Sequence, residues 1–128
     1  MLGDTDVFAS VAVKDGRAAR DFYEGVLGLT VAHWHEDSGM AEYRSGSGRM
    51  IVYPSDTAGK NAATSAGWGV GERLEAVVEA LQAKGVRFER YDIPGAERRG
   101  DIHVMEGNFR AAWFRDPDGN ILHVNSGG

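Results

Sequence analysis

VKDGRAARDFYEGVLG (residues 13–28) decides the fold of this chain, because a second stretch, VGERLEAVVEALQAKG (residues 70–85), repeats its plan. In both stretches a valine that ends a strand lies 15 residues before a glycine that ends an amphipathic helix. The second helix carries apolar residues at i, i+3, i+4 and i+7 from Leu74 to Leu81, the spacing of one buried helix face. Two copies indicate a duplicated module rather than a solenoid.

A second repeat lies downstream of each helix. AEYRSGSGRMIVY (41–53) aligns without a gap on AWFRDPDGNILHV (112–124), which places Gly48 over Gly119. Strands on both sides of a glycine-containing turn are typical of a β-hairpin. The offset between the copies grows from 57 to 71 residues, so the second copy holds 14 extra residues between its helix and its last hairpin. Each copy is predicted to be a βαβββ module of an α+β fold.

The boundaries of these modules follow from composition. One domain is predicted over residues 1–128, with a first module over about 1–56 and a second over about 64–128. A linker over about 54–66, rich in Ser, Thr, Gly and Ala, joins them. One such module leaves a sheet face uncovered, so the two modules are expected to pair.

The insertion of the second module has its own prediction. VRFERYDI (86–93) predicts a strand, and PGAERRGDIHVMEGN (94–108) predicts an inserted loop. Within that loop His103 is expected to be exposed to solvent. Tyr91 and Asp92 begin the insertion, where they are expected to border a ligand cavity.

Composition excludes several classes of protein. The chain of 128 residues has no cysteine, which excludes disulfides, thiolate metal sites and a cysteine nucleophile. The net charge is −5 and basic residues cluster only at Arg98-Arg99, so nucleic acid is not an expected partner and a neutral or cationic ligand is favoured. The N-terminal sequence lacks a secretory signal, and no stretch approaches the ~20 apolar residues of a membrane helix. We therefore expect a cytoplasmic protein with no membrane partner.

DFYEGVLGLTV (21–31), which follows a strand, and AWFRDPDGNILHV (112–124) resemble the vicinal oxygen chelate superfamily. That superfamily includes glyoxalase I, bleomycin resistance proteins, fosfomycin-modifying enzymes and extradiol dioxygenases. The resemblance covers almost the whole chain and implies two paired βαβββ modules forming a cupped eight-stranded mixed sheet, with a ligand cavity inside. Several chemistries occur on this fold, so the resemblance alone assigns none.

In metal-dependent members of the superfamily, the ligands lie on the first and last strands of each module. Carried over by position, the resemblance places the four ligands at Phe8, Val52, Ser65 and His123. Only the histidine is a good ligand, and a divalent ion needs two or three side-chain donors to compete with water. We therefore expect no metal and no other cofactor, and the metal-dependent glyoxalase I and dioxygenase activities are not expected.

The candidate site residues are those that strand alternation and the resemblance turn towards the cavity. His123 is the tentative catalytic residue, as a general acid or base, and the alternative is a structural histidine. Trp113 and Phe114 point to opposite faces, so one of the two lines the cavity. His33 and His35 are interpreted as a partly exposed strand end rather than half a metal site. The predicted ligand-binding residues are Phe8, Ser10, Met50, Val52, Ser65, Gly67, Tyr91, Asp92, Trp113, His123 and Asn125.

Three functions remain open. The first is a metal-free protein that binds a small organic molecule, aromatic or cationic, and sequesters an antibiotic or a metabolite; the resemblance to bleomycin resistance proteins implies a homodimer. The second is a metal-independent lyase or isomerase in which His123 transfers a proton and nearby polar side chains orient the substrate. The side chains available for that role are Ser10, Ser65 and Asn125. The third is a metalloenzyme with unexpected ligands such as His33, His35 and His123.

Overall fold

The computed structural model describes residues 1–4 and 6–127. The chain divides into two compact units, Met1–Lys60 and Asn61–Gly128, and the boundary falls inside the stretch predicted as a linker. Each unit holds one copy of the sequence repeat. Among the described residues, no helix has the length and apolar character needed to cross a membrane.

The first unit contains one mixed sheet. Its strands are β1 (Ala9–Val13), β2 (Thr30–His35), β3 (Met40–Ser45) and β4 (Gly48–Pro54). They hydrogen-bond in the order β1-β4-β3-β2, with β1 parallel to β4 and the other pairs antiparallel. This is the βαβββ order that the repeat predicts.

A short helix packs against one face of this sheet. Helix α1 (Gly16–Arg20) begins at Asp15, whose carboxylate accepts hydrogen bonds from the first free N–H groups of the helix. The helix then widens into a π-helical segment (Asp21–Val26), in which the Leu27 N–H donates to the Phe22 carbonyl at 2.9 Å. Gly28, with φ +75°, follows this segment and lets the chain turn into β2.

The helix-covered face of the first sheet is identified by Tyr43. Its ring stacks on Tyr23 of the π-helical segment, and its hydroxyl donates to Glu24 at 2.9 Å. Strand pairing places the buried side chains Val11, Val13, Ala41, Met50 and Val52 on the same face. The opposite face, called here the open face, carries the residues that alternate with them: Ser10, Ala12, Glu42, Ile51 and Tyr53.

The second unit contains a larger mixed sheet. Its strands are β5 (Thr64–Gly69), β6 (Phe88–Glu89), β7 (Glu97–Arg99), β8 (Ile102–Val104), β9 (Arg110–Arg115) and β10 (Ile121–Asn125). The order is β5-β10-β9-β8-β7, with β6 paired to β9 and β5 parallel to β10.

Helix α2 (Leu74–Ala83) follows a 3-10 turn (Gly71–Arg73) and packs on β9 and β10. Its buried side chains Leu74, Val78 and Leu81 lie on the face that the sequence predicts as apolar. The buried sheet residues of this core are Ala112, Phe114, Leu122 and Val124.

The inserted segment differs from its prediction. Only Phe88–Glu89 of the predicted strand over 86–93 is extended in a ladder, and residues 94–108 contain the β7–β8 hairpin rather than a plain loop. The Ala96 N–H donates to the Ile93 carbonyl at 3.0 Å, so residues 93–96 form a turn around Pro94-Gly95 before β7 begins. Gly100-Asp101, with Gly100 at φ +64°, is the two-residue turn of the hairpin. The described residues therefore hold ten strands rather than the eight predicted.

Candidate functional site

Four aromatic side chains meet on the face of the second sheet that lies opposite helix α2. His123 on β10 pairs with Trp113 on β9, and their rings stack with centroids 5.8 Å apart and 28° between planes. Trp113 also meets Tyr91 at 5.6 Å and His103 at 5.0 Å, both edge to face. Tyr91, His103, Trp113 and His123 are called the ring cluster below.

A cavity lies beside this cluster. It has a volume of about 320 Å³ and is lined by Ala62, Thr64, Tyr91, Trp113, Arg115 and Ile121; we call it the Trp113 cavity. The indole Nε1–H of Trp113 donates to Thr64 Oγ1 at 3.2 Å. Phe114 is fully buried on the opposite face, where it meets Phe88 with ring centroids 5.6 Å apart. Trp113 is therefore the one of the two neighbours that lines a cavity.

His123 is held between Gly67 and Asn125, both of which the sequence predicts for the site. A Cβ at position 67 would lie 2.1 Å from His123 Nε2, so the imidazole fills the space that a side chain would occupy. Asn125 Oδ1 accepts the Gly127 N–H at 2.9 Å, which leaves Nδ2 facing His123 Nε2 at 3.4 Å. Nε2 is thus the acceptor, and the neutral ring carries its proton on Nδ1.

Burial sets the charge of His123. It lowers the pKa of the imidazole below its ordinary value of 6.5, because the charged form is poorly solvated in the protein. The ring is therefore neutral at pH 7. Its Nδ1 is buried, and no atom in the described part of the chain accepts a hydrogen bond from it.

His103 is fully buried, so the prediction that it is exposed is wrong. The β7–β8 hairpin is the cause, since pairing places His103 opposite Ala111 on the same face as Trp113. His103 Nε2 accepts the backbone N–H of Tyr91 at 2.9 Å, which puts the proton of the neutral ring on Nδ1. That nitrogen is also buried without a partner among the described atoms.

Tyr91 and Asp92 lie where the sequence predicts, at the start of the insertion. Tyr91 lines the Trp113 cavity and an adjacent cleft of about 400 Å³, which Asp92 lines as well. Burial raises the pKa of the Tyr91 phenol, so it stays protonated at neutral pH. Its hydroxyl oxygen is buried and has no hydrogen-bond partner among the described residues.

Ser65 lies at a β-bulge. Ile121 pairs with Thr64 and Leu122 pairs with Ala66, so Ser65 is the extra residue of β5. The hydroxyl that meets Trp113 is consequently that of Thr64 and not that of Ser65. Reasoning from strict alternation could not have found Thr64, because a bulge changes the side on which residues lie.

In the first unit the predicted residues lie on different surfaces. Phe8, 52% exposed, and Met50 line a cleft of about 180 Å³, whose other walls are Glu42, Arg49 and Ile51. Ser10 is exposed on the open face of β1, next to Ile51 on β4. Val52 is 1% exposed on the helix-covered face, so the prediction that Val52 lines a cavity is wrong.

A difference in turn length explains the error at Val52. Arg44 pairs with Arg49 across the four residues 45–48, whereas its aligned counterpart Arg115 pairs with Ile121 across the five residues 116–120. The second turn is one residue longer, so the gapless alignment is out of register on the last strand. By strand pairing, the first-unit counterpart of His123 is Ile51.

His33 and His35 form a close pair on β2. Their ring centroids are 4.1 Å apart, and His35 Nε2 lies 2.8 Å from Glu42 Oε2. Arg49 also donates to Glu42, at 3.3 Å, so this carboxylate already has two partners. Across residues 1–4 and 6–127, no group of three or more His, Asp or Glu side chains is arranged to hold a metal ion.

The positions that the family resemblance assigns to metal ligands do not fit a divalent ion. In the first unit these positions hold Phe8 and, by strand pairing, Ile51, neither of which carries a donor atom. In the second unit they hold a serine at a bulge and His123. One imidazole and one hydroxyl are too few to compete with water for the ion.

Comparison with known proteins agrees with this fold. The family model of the Glyoxalase/Bleomycin resistance protein/Dioxygenase superfamily matches residues 6–124. Among curated proteins, none matches the sequence. An integron cassette protein from the mobile metagenome of the Halifax Harbour sewage outfall is similar in structure, with 19% identity and a TM-score of 0.73 over 95% of this chain and 98% of that chain.

Two further solved structures are enzymes or resistance proteins by name. The fosfomycin resistance protein FosX from Listeria monocytogenes is 14% identical, with a TM-score of 0.72 over 98% of this chain and 93% of that chain. The lactoylglutathione lyase from Agrobacterium tumefaciens is 14% identical, with a TM-score of 0.72 over 96% of this chain and 94% of that chain. Structural likeness at such identities shows the fold alone. The family match spans nearly the whole chain, and the protein therefore belongs to the glyoxalase/bleomycin resistance protein/dioxygenase superfamily.

Proposed function

We propose that this protein binds a small organic molecule in the Trp113 cavity, without a metal ion, and thereby sequesters an antibiotic or a metabolite. The observation that carries the proposal is the ring cluster beside the cavity. The volume of the Trp113 cavity, about 320 Å³, lies within the range of small-molecule pockets. The flat indole of Trp113 forms one wall, which suits a planar guest.

Unpartnered polar atoms support the same proposal. His103 Nδ1, His123 Nδ1 and the Tyr91 hydroxyl are buried without a partner in the described part of the chain. Buried polar groups in folded proteins almost always have a hydrogen-bond partner. Three such atoms in one cluster are well placed to be satisfied by a bound molecule or by ordered water.

The metal-free part of the proposal is tested by metal content. The purified protein is incubated with zinc, nickel, iron or manganese, desalted, and assayed for bound metal. We expect background retention, because the donor set is too small. Near-stoichiometric retention of one ion would contradict metal-free binding and indicate a metal-dependent lyase or isomerase.

The binding site is tested by a fragment screen read at the Trp113 indole N–H resonance in a ¹H–¹⁵N spectrum. Trp113→Leu should remove binding of the hits, since it removes one wall of the cavity; calorimetry measures this, because the variant lacks the indole resonance. The matched control is Trp34→Phe, because Trp34 belongs to the first unit and its ring lies under the Arg20 guanidinium at 4.8 Å. Hits that bind Trp113→Leu as tightly as the unaltered protein would refute the proposed site.

A second function, a metal-independent lyase or isomerase, is favoured by one observation. His123 is a neutral imidazole at pH 7, and within the described residues its Nε2 lone pair is engaged only by a long contact of 3.4 Å to Asn125. Such a group can accept a proton next to a carbonyl. His123→Ala separates the two functions: affinity should stay within a few-fold if the protein only sequesters its guest, and turnover should vanish if it catalyses.

The proposal also includes a cytoplasmic homodimer, on the strength of the resemblance to bleomycin resistance proteins. Sedimentation equilibrium measures the mass directly. A species of twice the chain mass of 13.8 kDa is expected, and a monomer at micromolar concentration would contradict this part.

A further inference from the structure

We propose that the guest of the Trp113 cavity is a planar aromatic carboxylate, whose ring lies against Trp113 and whose carboxylate binds Arg115 and Thr64. The inference rests on the proposed function and names the ligand class. It concerns side chains of the second unit only. The composition of the chain does not indicate an acidic ligand, whereas the donors that line the cavity do.

Arg115 supplies the positive charge. Its guanidinium lines the cavity, with Nε donating to Glu89 and Nη1 donating to the Gly119 carbonyl at 3.0 Å. These contacts fix the plane of the guanidinium. The Nη2 amino group has no acceptor among the described residues, so it is available to donate to a ligand. Arginine in this state is the side chain best suited to bind a carboxylate.

Two hydroxyl groups add further donors. Thr64 Oγ1 accepts the Trp113 indole N–H, so its own hydrogen is available for another acceptor. The Tyr91 hydroxyl is protonated and buried, and has no partner in the described residues. The cavity thus presents three donors, while the Glu89 carboxylate next to Arg115 already accepts a hydrogen bond from it. A ligand rich in acceptors satisfies them.

The net charge of −5 does not oppose this inference. Charges farther away than about 8 Å are screened at physiological ionic strength, so contacts at the site decide the sign of the ligand. A cationic guest would place its charge next to Arg115. A carboxylate instead gains a charge-assisted hydrogen bond there.

The experiment compares three compounds of one shape: 2-naphthoate, 2-naphthylmethanol and 2-naphthylmethylamine. Binding is followed by calorimetry and at the Trp113 indole N–H resonance, which Trp113→Phe identifies by its loss. We expect 2-naphthoate to bind at least ten-fold more tightly than the alcohol, and the amine to bind most weakly. All three should shift the same resonance.

Two variants change the affinity for 2-naphthoate in opposite directions. Arg115→Gln should weaken it at least ten-fold and leave the alcohol within two-fold. Glu89→Gln should tighten it several-fold, since it removes the carboxylate that competes for the guanidinium. A merely structural role of the Arg115–Glu89 pair would instead weaken binding in both variants. Arg17→Gln is the charge-matched control, because Arg17 pairs with Glu36 on the exposed surface of the first unit.

The outcomes separate this inference from the proposed function. If the alcohol or the amine binds at Trp113 as tightly as 2-naphthoate, and Arg115→Gln has no effect, the carboxylate class is wrong while the site stands. If Glu89→Gln weakens binding of 2-naphthoate, the role of Arg115 as anchor is wrong. If fragments bind but none shifts the Trp113 resonance, both the inference and the proposed site are wrong.

Discussion

The imidazole of His123 lies over Gly67 so closely that a Cβ at position 67 would come within 2.0 Å of His123 Cδ2. The two residues are register partners on the parallel strands β10 and β5. The His123 imidazole therefore fills the space that a side chain at position 67 would occupy. This relationship places the imidazole beside Trp113, and it can be tested without knowing the ligand.

Gly67→Ala should destabilise the protein by about 1–3 kcal/mol, the usual penalty for forcing a side chain into filled space. The free energy of unfolding from urea titrations measures this. The double variant Gly67→Ala/His123→Ala should recover most of the loss, because the clashing ring is gone. Gly25→Ala is the control, since nothing lies within 4 Å of a Cβ there. Equal losses in the single and double variants would disprove the contact.

The pKa of His123 predicts how stability varies with pH. Because burial lowers this pKa in the folded protein, the unfolded chain binds the proton first as the pH falls. The resulting contribution to the free energy of unfolding is present above pH 6.5, and it is lost as the pH falls through the lowered pKa of His123 in the folded protein. His123→Gln should show a smaller decline in the free energy of unfolding below pH 6.5. His33→Gln, at an exposed position, should keep the full decline; an unchanged profile in His123→Gln would refute the burial argument.

The sequence repeat predicts much of this site because strand alternation is a local property. The resemblance assigns His123 to the site and alternation adds Gly67 and Asn125; in the structure the His123 ring lies over Gly67 and next to Asn125. Alternation also shows that Trp113 and Phe114 face opposite ways, but it cannot say which face the helix covers. That choice depends on the packing of α2, a tertiary contact that the pattern of one strand does not contain.

The incorrect predictions of which side chains face the cavity come from places where a turn or a strand has one extra residue. The longer turn at 116–120 moves the counterpart of His123 from Val52 to Ile51, and the bulge at Ser65 turns Thr64 towards Trp113. A shift of one residue reverses the face of every side chain beyond it. The burial of His103 is a different case, because Gly100-Asp101 is a recognised hairpin signal that could have placed it on a strand.

In the first unit, the hydrogen-bonded ion pair of Glu24 should make the free energy of unfolding fall at acid pH. Glu24 accepts from Arg20 Nε at 2.6 Å and from the Tyr43 hydroxyl at 2.9 Å. The hydrogen bond from Arg20, with help from Tyr43, holds the pKa of Glu24 below its usual value of 4.5. The contribution of ionised Glu24 to the free energy of unfolding is present above pH 4.5, and it is lost as the pH falls through the lowered pKa of Glu24 in the folded protein.

Glu24→Gln should therefore lower the free energy of unfolding by about 1.5–3 kcal/mol at pH 7, the usual range for hydrogen bonds to charged groups. The difference from the unaltered protein should shrink below pH 4.5. Glu79→Gln, on the exposed face of α2, controls for the loss of a carboxylate and should change little. A deficit in Glu24→Gln that stays constant down to pH 3 would show that the carboxylate charge is not responsible.

The buried His103 should hold the loop that carries Tyr91, because its Nε2 is the acceptor for the Tyr91 N–H at 2.9 Å. His103→Leu removes that acceptor and leaves a partly buried N–H unpaired, which typically costs about 1–3 kcal/mol. Amide exchange at Tyr91 should accelerate by the corresponding ten- to hundred-fold. His103→Gln, whose side-chain oxygen can accept the same hydrogen bond, should restore part of the protection. Unchanged exchange at Tyr91 in His103→Leu would mean that the loop is fixed by other contacts, and that His103 does not position this wall of the cavity.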